Sequence, residues 1–380
     1  MKKLIFTFII MLLCLAGCSD GGGQAQTSPQ AGKVESVVSN APERIFLEVS
    51  SGVTVDAQVV IPETHQYGTF LAEYPQVDGE YIERAKSLLM KSPDPSLTVS
   101  EDIYSYTAGS EYLGVCSRFL AYEDTDFSNL ILNIFLPPTR KGMTNAERFA
   151  DGDLSFCSQA EAVANTVEVL AQLDVSVAGQ PRVFSLSQAA LQSTSELYAA
   201  DNSFYPFDTS IYPDVIDQSY ECYYIKFSAQ YDQIPLYNEL FIYKTIPDFA
   251  IEHPEINVIY SADGVKYLSI SGYRSALSPA AAVDRIIEPQ AAAQMICTKY
   301  AEVVTEDRIV FDRIELMYVY TPDAGYTHSG DEELLLKMHP AWVCTGSMSS
   351  TQIGGRGETE HIVAERIAVL IDAQTGLEII

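Results

Sequence analysis

A chain of 380 residues with 47% hydrophobic and 19% charged side chains has enough apolar surface for sizeable cores, which excludes a disordered polypeptide and points to two or three domains. Its 51 acidic and 23 basic residues give a formal net charge of −28. Such a field repels phosphate backbones and anionic head groups, so nucleic acid is excluded as a partner and any charged partner is expected to be cationic.

The first predicted element is a leader. Lys2 and Lys3 precede an apolar run from Leu4 to Leu15, too short for the ~20 residues that cross a bilayer but suited to a signal-peptide core. The run closes on Leu15-Ala16-Gly17-Cys18. These four residues resemble the lipobox of bacterial lipoproteins, which implies removal of residues 1–17, lipid on the Cys18 thiol and a mature chain outside the cytoplasm. The membrane is then a partner through the lipid on Cys18, since two or three acyl chains anchor stably where one does not. Residues 18–42, rich in Gly, Gln, Ser and Thr, read as a flexible tether.

Residues 43–150 are expected to form a β-rich α+β domain. Arg44 to Ser50 and Val53 to Ile61 flank Ser51-Gly52 as a hairpin. Gly79 to Met90 sets Ile82, Ala85 and Leu89 on one helical face, and Pro93 and Pro95 end it. Tyr112 to Tyr122 and Leu130 to Leu136 read as strands, and Pro137-Pro138 with Gly142 marks a boundary. In residues 151–275, Ser158 and Glu161 have capping-box spacing, with Ala160, Val163, Val167, Leu170 and Leu173 behind them at helical period. Strands follow at Glu221 to Tyr231, Tyr237 to Thr245, Ile256 to Ser261 and Val265 to Ser271, the last two joined through Asp263-Gly264. Residues 276–380 repeat that order. Pro289 opens a helix carrying Ala292, Met295, Ile296, Lys299 and Val303, and strands follow at Ile309 to Tyr320, Leu334 to Cys344 and Arg366 to Asp372. The expected fold class is α+β, built from repeated units of a helix packed on an antiparallel meander.

Three stretches of the last ~90 residues carry a second resemblance: Ile314-Glu-Leu316-Met-Tyr318, Leu335-Leu336-Lys-Met-His-Pro340-Ala341-Trp342, and Val369-Leu-Ile-Asp372-Ala373-Gln-Thr375-Gly376. They look like the YycI and PepSY-like domains of extracytoplasmic bacterial proteins, whose sheet ends in Asp-Ala-x-Thr-Gly. The resemblance implies a domain without catalysis that restrains or presents a partner at the cell surface. A lipid anchor here stands where YycI has a transmembrane helix.

Chemical motifs are sparse. His65, His253, His328, His339 and His361 lack the HExxH spacing of a zincin, and no nucleophile elbow or phosphate-binding glycine loop occurs. Asp124-Thr-Asp126-Phe-Ser128 opens like a calcium loop but has Asn129 and Phe135 where glycine and a bidentate glutamate are needed, and Asp151 with Asp153 reads as a solvated turn. No cofactor is expected. Cys14 leaves with the leader; Cys116, Cys157, Cys222, Cys297 and Cys344 are odd in number, read as buried apolar residues, and leave room for one disulfide. Trp342 reads as core.

Twelve aromatic residues fall between Phe204 and Tyr243. Cross-strand packing accounts for such a run; an exposed platform for a protein partner or a cell-wall glycan is the functional alternative, with Tyr205, Tyr212, Tyr223, Tyr224, Tyr231 and Tyr237 as its candidate residues. The expected function is extracytoplasmic binding or regulation, with a transporter's solute-binding lipoprotein or a secreted glycan or peptide hydrolase as alternatives.

Overall fold

The computed structural model describes residues 31–50, 52–64, 66–136, 148–149, 152–200, 215–238, 241–242, 250–251, 253–276, 281–301, 308–322, 336–352 and 361–379. The expected leader, Cys18, the break expected at 137–142 and most of the strand expected at 237–245 lie outside them. Among the described residues no helix is long and apolar enough to cross a membrane.

Two large sheets dominate an α+β fold. The amino-terminal part supplies helix α1 (Val34–Asn40), the hairpin β1 (Arg44–Glu48) and β2 (Val53–Val60), and β3 (Gly68–Glu73). Helix α2 (Gly79–Leu89) follows, with the Asp78 side chain accepting the Tyr81 N–H at 2.8 Å and Ile82, Ala85 and Leu89 buried. A meander comes next: β4 (Ser96–Ser100), β5 (Ile103–Ala108), β6 (Glu111–Val115) and β7 (Phe119–Asp124). Tyr112 to Tyr122, expected as one strand, is thus a hairpin turning at Cys116-Ser117-Arg118. Helix α3 (Thr125–Phe135) corrects a second expectation, because Leu130 to Leu136 is helical and not a strand. Its alternating oxygens belong to the helix start: Asp126 sits in the first turn, and Asp124, at the N-cap position, pairs with Lys266 at 2.9 Å.

The middle of the chain supplies α4 (Gln159–Gln172), β8 (Val177–Leu186), α5 (Gln188–Ala200), β9 (Cys222–Tyr231), β10 (Glu255–Ser261) and β11 (Gly264–Ser271). Both arms of the capping box form: Ser158 Oγ accepts the Glu161 N–H at 3.2 Å, and Glu161 Oε2 accepts the Ser158 N–H at 3.0 Å. Last come α6 (Pro289–Tyr300), β12 (Arg308–Pro322), β13 (Leu336–Gln352) and β14 (His361–Asp372). Trp342 is fully buried, and its indole N–H donates to the Ile287 carbonyl at 3.0 Å ahead of α6.

The first sheet has nine strands, running β8-β9-β10-β11-β7-β6-β5-β4 with Ile234–Pro235 added at the end of β9. The second has eight, centred on β13 and β12, with β2 and β1 on one side and β3 on the other; β14 pairs with β13. All their ladders are antiparallel except β2 with β12, where Val53 faces Ile309 and Val60 faces Glu315. The expected division into 43–150, 151–275 and 276–380 therefore does not follow the sheets. Strands β1–β3 join the carboxy-terminal sheet while β4–β7 join the middle one, and one hydrophobic cluster runs from Val34 to Ile379. Cys116, Cys157, Cys222, Cys297 and Cys344 are all free.

Candidate functional site

Among the described residues of the aromatic run, the candidate tyrosines do not make an exposed surface. Tyr223 and Tyr224 are 0% and 2% exposed, Tyr237 is buried and Tyr231 half-buried. Strand β9 is an interior strand covered on both faces. Tyr223 packs in the main core, where its hydroxyl donates to the Cys157 carbonyl at 2.7 Å, and Tyr224 faces the opposite way onto Phe135, 4.4 Å between ring centroids. Aromatics at odd and even positions alike are what burial on both sides requires. Tyr205 and Tyr212 lie outside the described residues.

Half-exposed aromatics converge elsewhere, on a cleft of about 290 Å³ where the two sheets meet. Tyr74 follows β3 on the way to the Asp78 cap. Tyr81 stands in the first turn of α2, Phe119 follows the β6–β7 turn, and Tyr273 follows β11 after Gly272, whose φ of 65° turns the chain. Asp174 completes the wall at a φ of 59°, a left-handed residue closing α4, as its N–H bonds the Ala171 carbonyl.

Charged groups fix two of these rings, Tyr74 and Tyr81. The Arg274 guanidinium is buried with its centre 3.7 Å from the Tyr74 ring centroid, and exposed Arg118 lies 5.8 Å from the same ring. Arg84 pairs with Asp174 and lies 5.5 Å from the Tyr81 ring, so one side chain ties α2 to the end of α4. Burial, reinforced by Asp174, pushes the Tyr81 phenol up to about 12, and burial raises Tyr273 as well. Both rings keep their hydroxyl protons at neutral pH and present flat apolar faces beside a hydrogen-bond donor. Glu73, Gln76, Ser117 and Ser275 add polar groups to the lining.

A hydroxyl–imidazole–carboxylate chain occurs in the carboxy-terminal sheet. Thr321 Oγ1 lies 3.1 Å from His339 Nε2, and His339 Nδ1 lies 3.1 Å from Asp372 Oδ2, close enough to pair but off the line of a good hydrogen bond. Asp372 Oδ1 accepts the Gln374 and Thr375 N–H groups at 2.9 and 2.7 Å. Burial raises this carboxyl, but His339 and the Thr375 N–H outweigh it and hold it down at about 2. His339 is 3% exposed and neither it nor Thr321 lines the aromatic cleft, so the chain of contacts locks the Asp-Ala-x-Thr-Gly turn onto β13. Among the described residues no group of three or more metal-ligating side chains assembles.

No protein-family model matches the chain, and no curated protein is similar to it. Among solved structures, an uncharacterized protein from Eubacterium rectale ATCC 33656 shares the fold, with a TM-score of 0.64 over 89% of this chain and 93% of that one at 16% identity.

Proposed function

We propose that this protein is a lipid-anchored binding protein outside the cytoplasm, and that the cleft of Tyr74, Tyr81, Phe119 and Tyr273 holds a sugar ring of a cell-wall glycan. The lipobox at Leu15 to Cys18 supports the location. The observation carrying the binding role is that flat rings from four separate segments stand half-exposed around one cleft, with Tyr74 held by a buried guanidinium. Aromatic faces pack against the C–H faces of a pyranose while its rim hydroxyls donate to the Glu73 carboxylate and exchange hydrogen bonds with the Gln76 amide. A cleft of this size accommodates a small ligand or one end of a longer chain.

Calorimetric titration of the detergent-solubilised full chain with N-acetylglucosamine oligomers tests the reading. Saturable binding is expected, weakened about tenfold or more by Tyr74→Ala, in line with ~1.4 kcal/mol or more for a ring at a hot spot. Binding that survives Tyr74→Ala with Tyr81→Ala, or its absence in the wild type, overturns it. Intact-mass measurement of the membrane fraction tests the anchor: the mature terminus is expected to be diacylated or triacylated Cys18, and Cys18→Ala to abolish the added mass.

A further inference from the structure

The aromatic cleft carries two opposite charges that do not meet. Glu73 ends β3 beside Tyr74, and Arg118 precedes Phe119 in the β6–β7 turn, which the Cys116 N–H closes on the Phe119 carbonyl at 3.0 Å. Both line the cleft, Glu73 half-buried and Arg118 exposed. Asp174 on the same wall is taken by Arg84, but neither Glu73 nor Arg118 forms an ion pair with the other or with any other described residue. Arg274 stacks on the Tyr74 ring at 3.7 Å, whereas Arg118 stands off at 5.8 Å from the same centroid. A pyranose in van der Waals contact with a cleft ring lies about 4 Å from it. A substituent on the rim of that sugar then reaches the Arg118 guanidinium.

On the basis of the glycan reading of this cleft, which this inference requires, we propose that the sugar it takes is acidic, a pyranose bearing a carboxylate on its rim. The Arg118 fork donates to both carboxylate oxygens, while hydroxyl and amide N–H groups of the same sugar donate to Glu73. A neutral sugar leaves the arginine unused, and an anion without donors meets only repulsion from Glu73. A ligand with both kinds of group fits the pair. Because Arg118 is exposed, its gain is that of a surface ion pair, about threefold in affinity. The net charge of −28 opposes an anion weakly at this range, since salt screens charges more than ~8 Å apart at physiological ionic strength. An amino sugar with a lactyl ether and a uronic acid share this chemistry; the carboxylate on an ether arm extends farther from a stacked ring toward the arginine.

Calorimetry on the detergent-solubilised full chain at low salt provides the test. The probes are an N-acetylglucosamine dimer, the disaccharide of N-acetylglucosamine with N-acetylmuramic acid, that disaccharide with its carboxylate converted to a methyl amide, and a disaccharide of N-acetylglucosamine with glucuronic acid. The muramic probe is expected to bind about threefold tighter or more than the dimer and the amide, with an advantage that shrinks as salt rises. R118Q should bring the ratio of acidic to neutral affinity close to one, and R118K, which keeps the charge but loses the fork, should fall between. A purely structural role for Arg118 would move all affinities together. Tighter binding of the uronic probe, levelled in R118Q, would place the same carboxylate chemistry on a uronic acid. Equal affinity for acidic and neutral probes, or a ratio unchanged in R118Q, overturns the inference while leaving the glycan cleft standing. No saturable binding of any probe overturns both.

Discussion

His253 lies between two tyrosines, stacked on Tyr320 at 5.8 Å with 15° between planes and edge-on to Tyr237 at 5.1 Å. Burial, with Arg274 adding to it, lowers its imidazole to about 4. A folded value below the ordinary 6.5 means the unfolded chain binds a proton that the folded one refuses. The neutral ring therefore contributes stability above pH 6.5, and that contribution falls as pH drops toward 4, by about 3 kcal/mol. His253→Phe keeps the stack and removes the titration. Urea denaturation at pH 7.5 and pH 4.5 should show a smaller acid loss in the variant by about 2 kcal/mol, and equal losses would rule out His253 as the sensitive group. Gly346 illustrates a different constraint at the same scale. A Cβ there would fall on the Val310 carbonyl and 2.7 Å from the Phe311 Cα, beside the irregularity where β12 skips a residue against β13.

At the scale of elements, β4 stands apart. All five of its residues are exposed, Leu97 and Val99 at 51% and 52%, and among the described strands only β5 pairs with it. An edge with two apolar side chains and no charge of its own is a template for another strand. L97K/V99K should leave the melting temperature within about 2 °C, as exposed substitutions do, while reducing self-association seen by light scattering at high concentration. Unchanged association would place the sticky surface elsewhere. Elements with local punctuation were legible in the sequence: Ser158 and Pro289 each announce a helix, and Asp263-Gly264 a hairpin. Helix α3 was not, because Leu130-Ile131-Leu132 is apolar without a break and a short apolar run has no period to read. The aromatic cleft was invisible for another reason. Tyr74, Tyr81, Phe119 and Tyr273 sit in four separate segments, each unremarkable alone, whereas the run at 204–243 stands out by its density, and its described members Tyr223, Tyr224 and Phe227 fill a doubly covered strand.

At the scale of the whole molecule, the boundaries expected near 150 and 275 do not separate the two sheets into independent units. Tyr237 donates its N–H to the Tyr318 carbonyl at 2.9 Å, and the short ladder of Ser275–Ala276 on β3 stitches the sheets a second time. A chain ending at residue 301 keeps every strand of the first sheet but removes β12–β14. If the sheets were separable, it would still melt cooperatively. The shared cluster predicts instead that it loses cooperative thermal unfolding by circular dichroism, whereas removing residues 19–30, which contribute nothing to that cluster, changes the transition little.

The parallel pairing of β2 with β12 also sets an order in time. A chain delivered amino terminus first presents its first hairpin early, and that hairpin has a bare edge until the strand that covers it arrives from near the other end. Closing so long a loop is slow, and an open strand edge invites unwanted pairing while it waits. The first hairpin to arrive is thus among the last to be finished, and its need for a chaperone should be greatest at that stage.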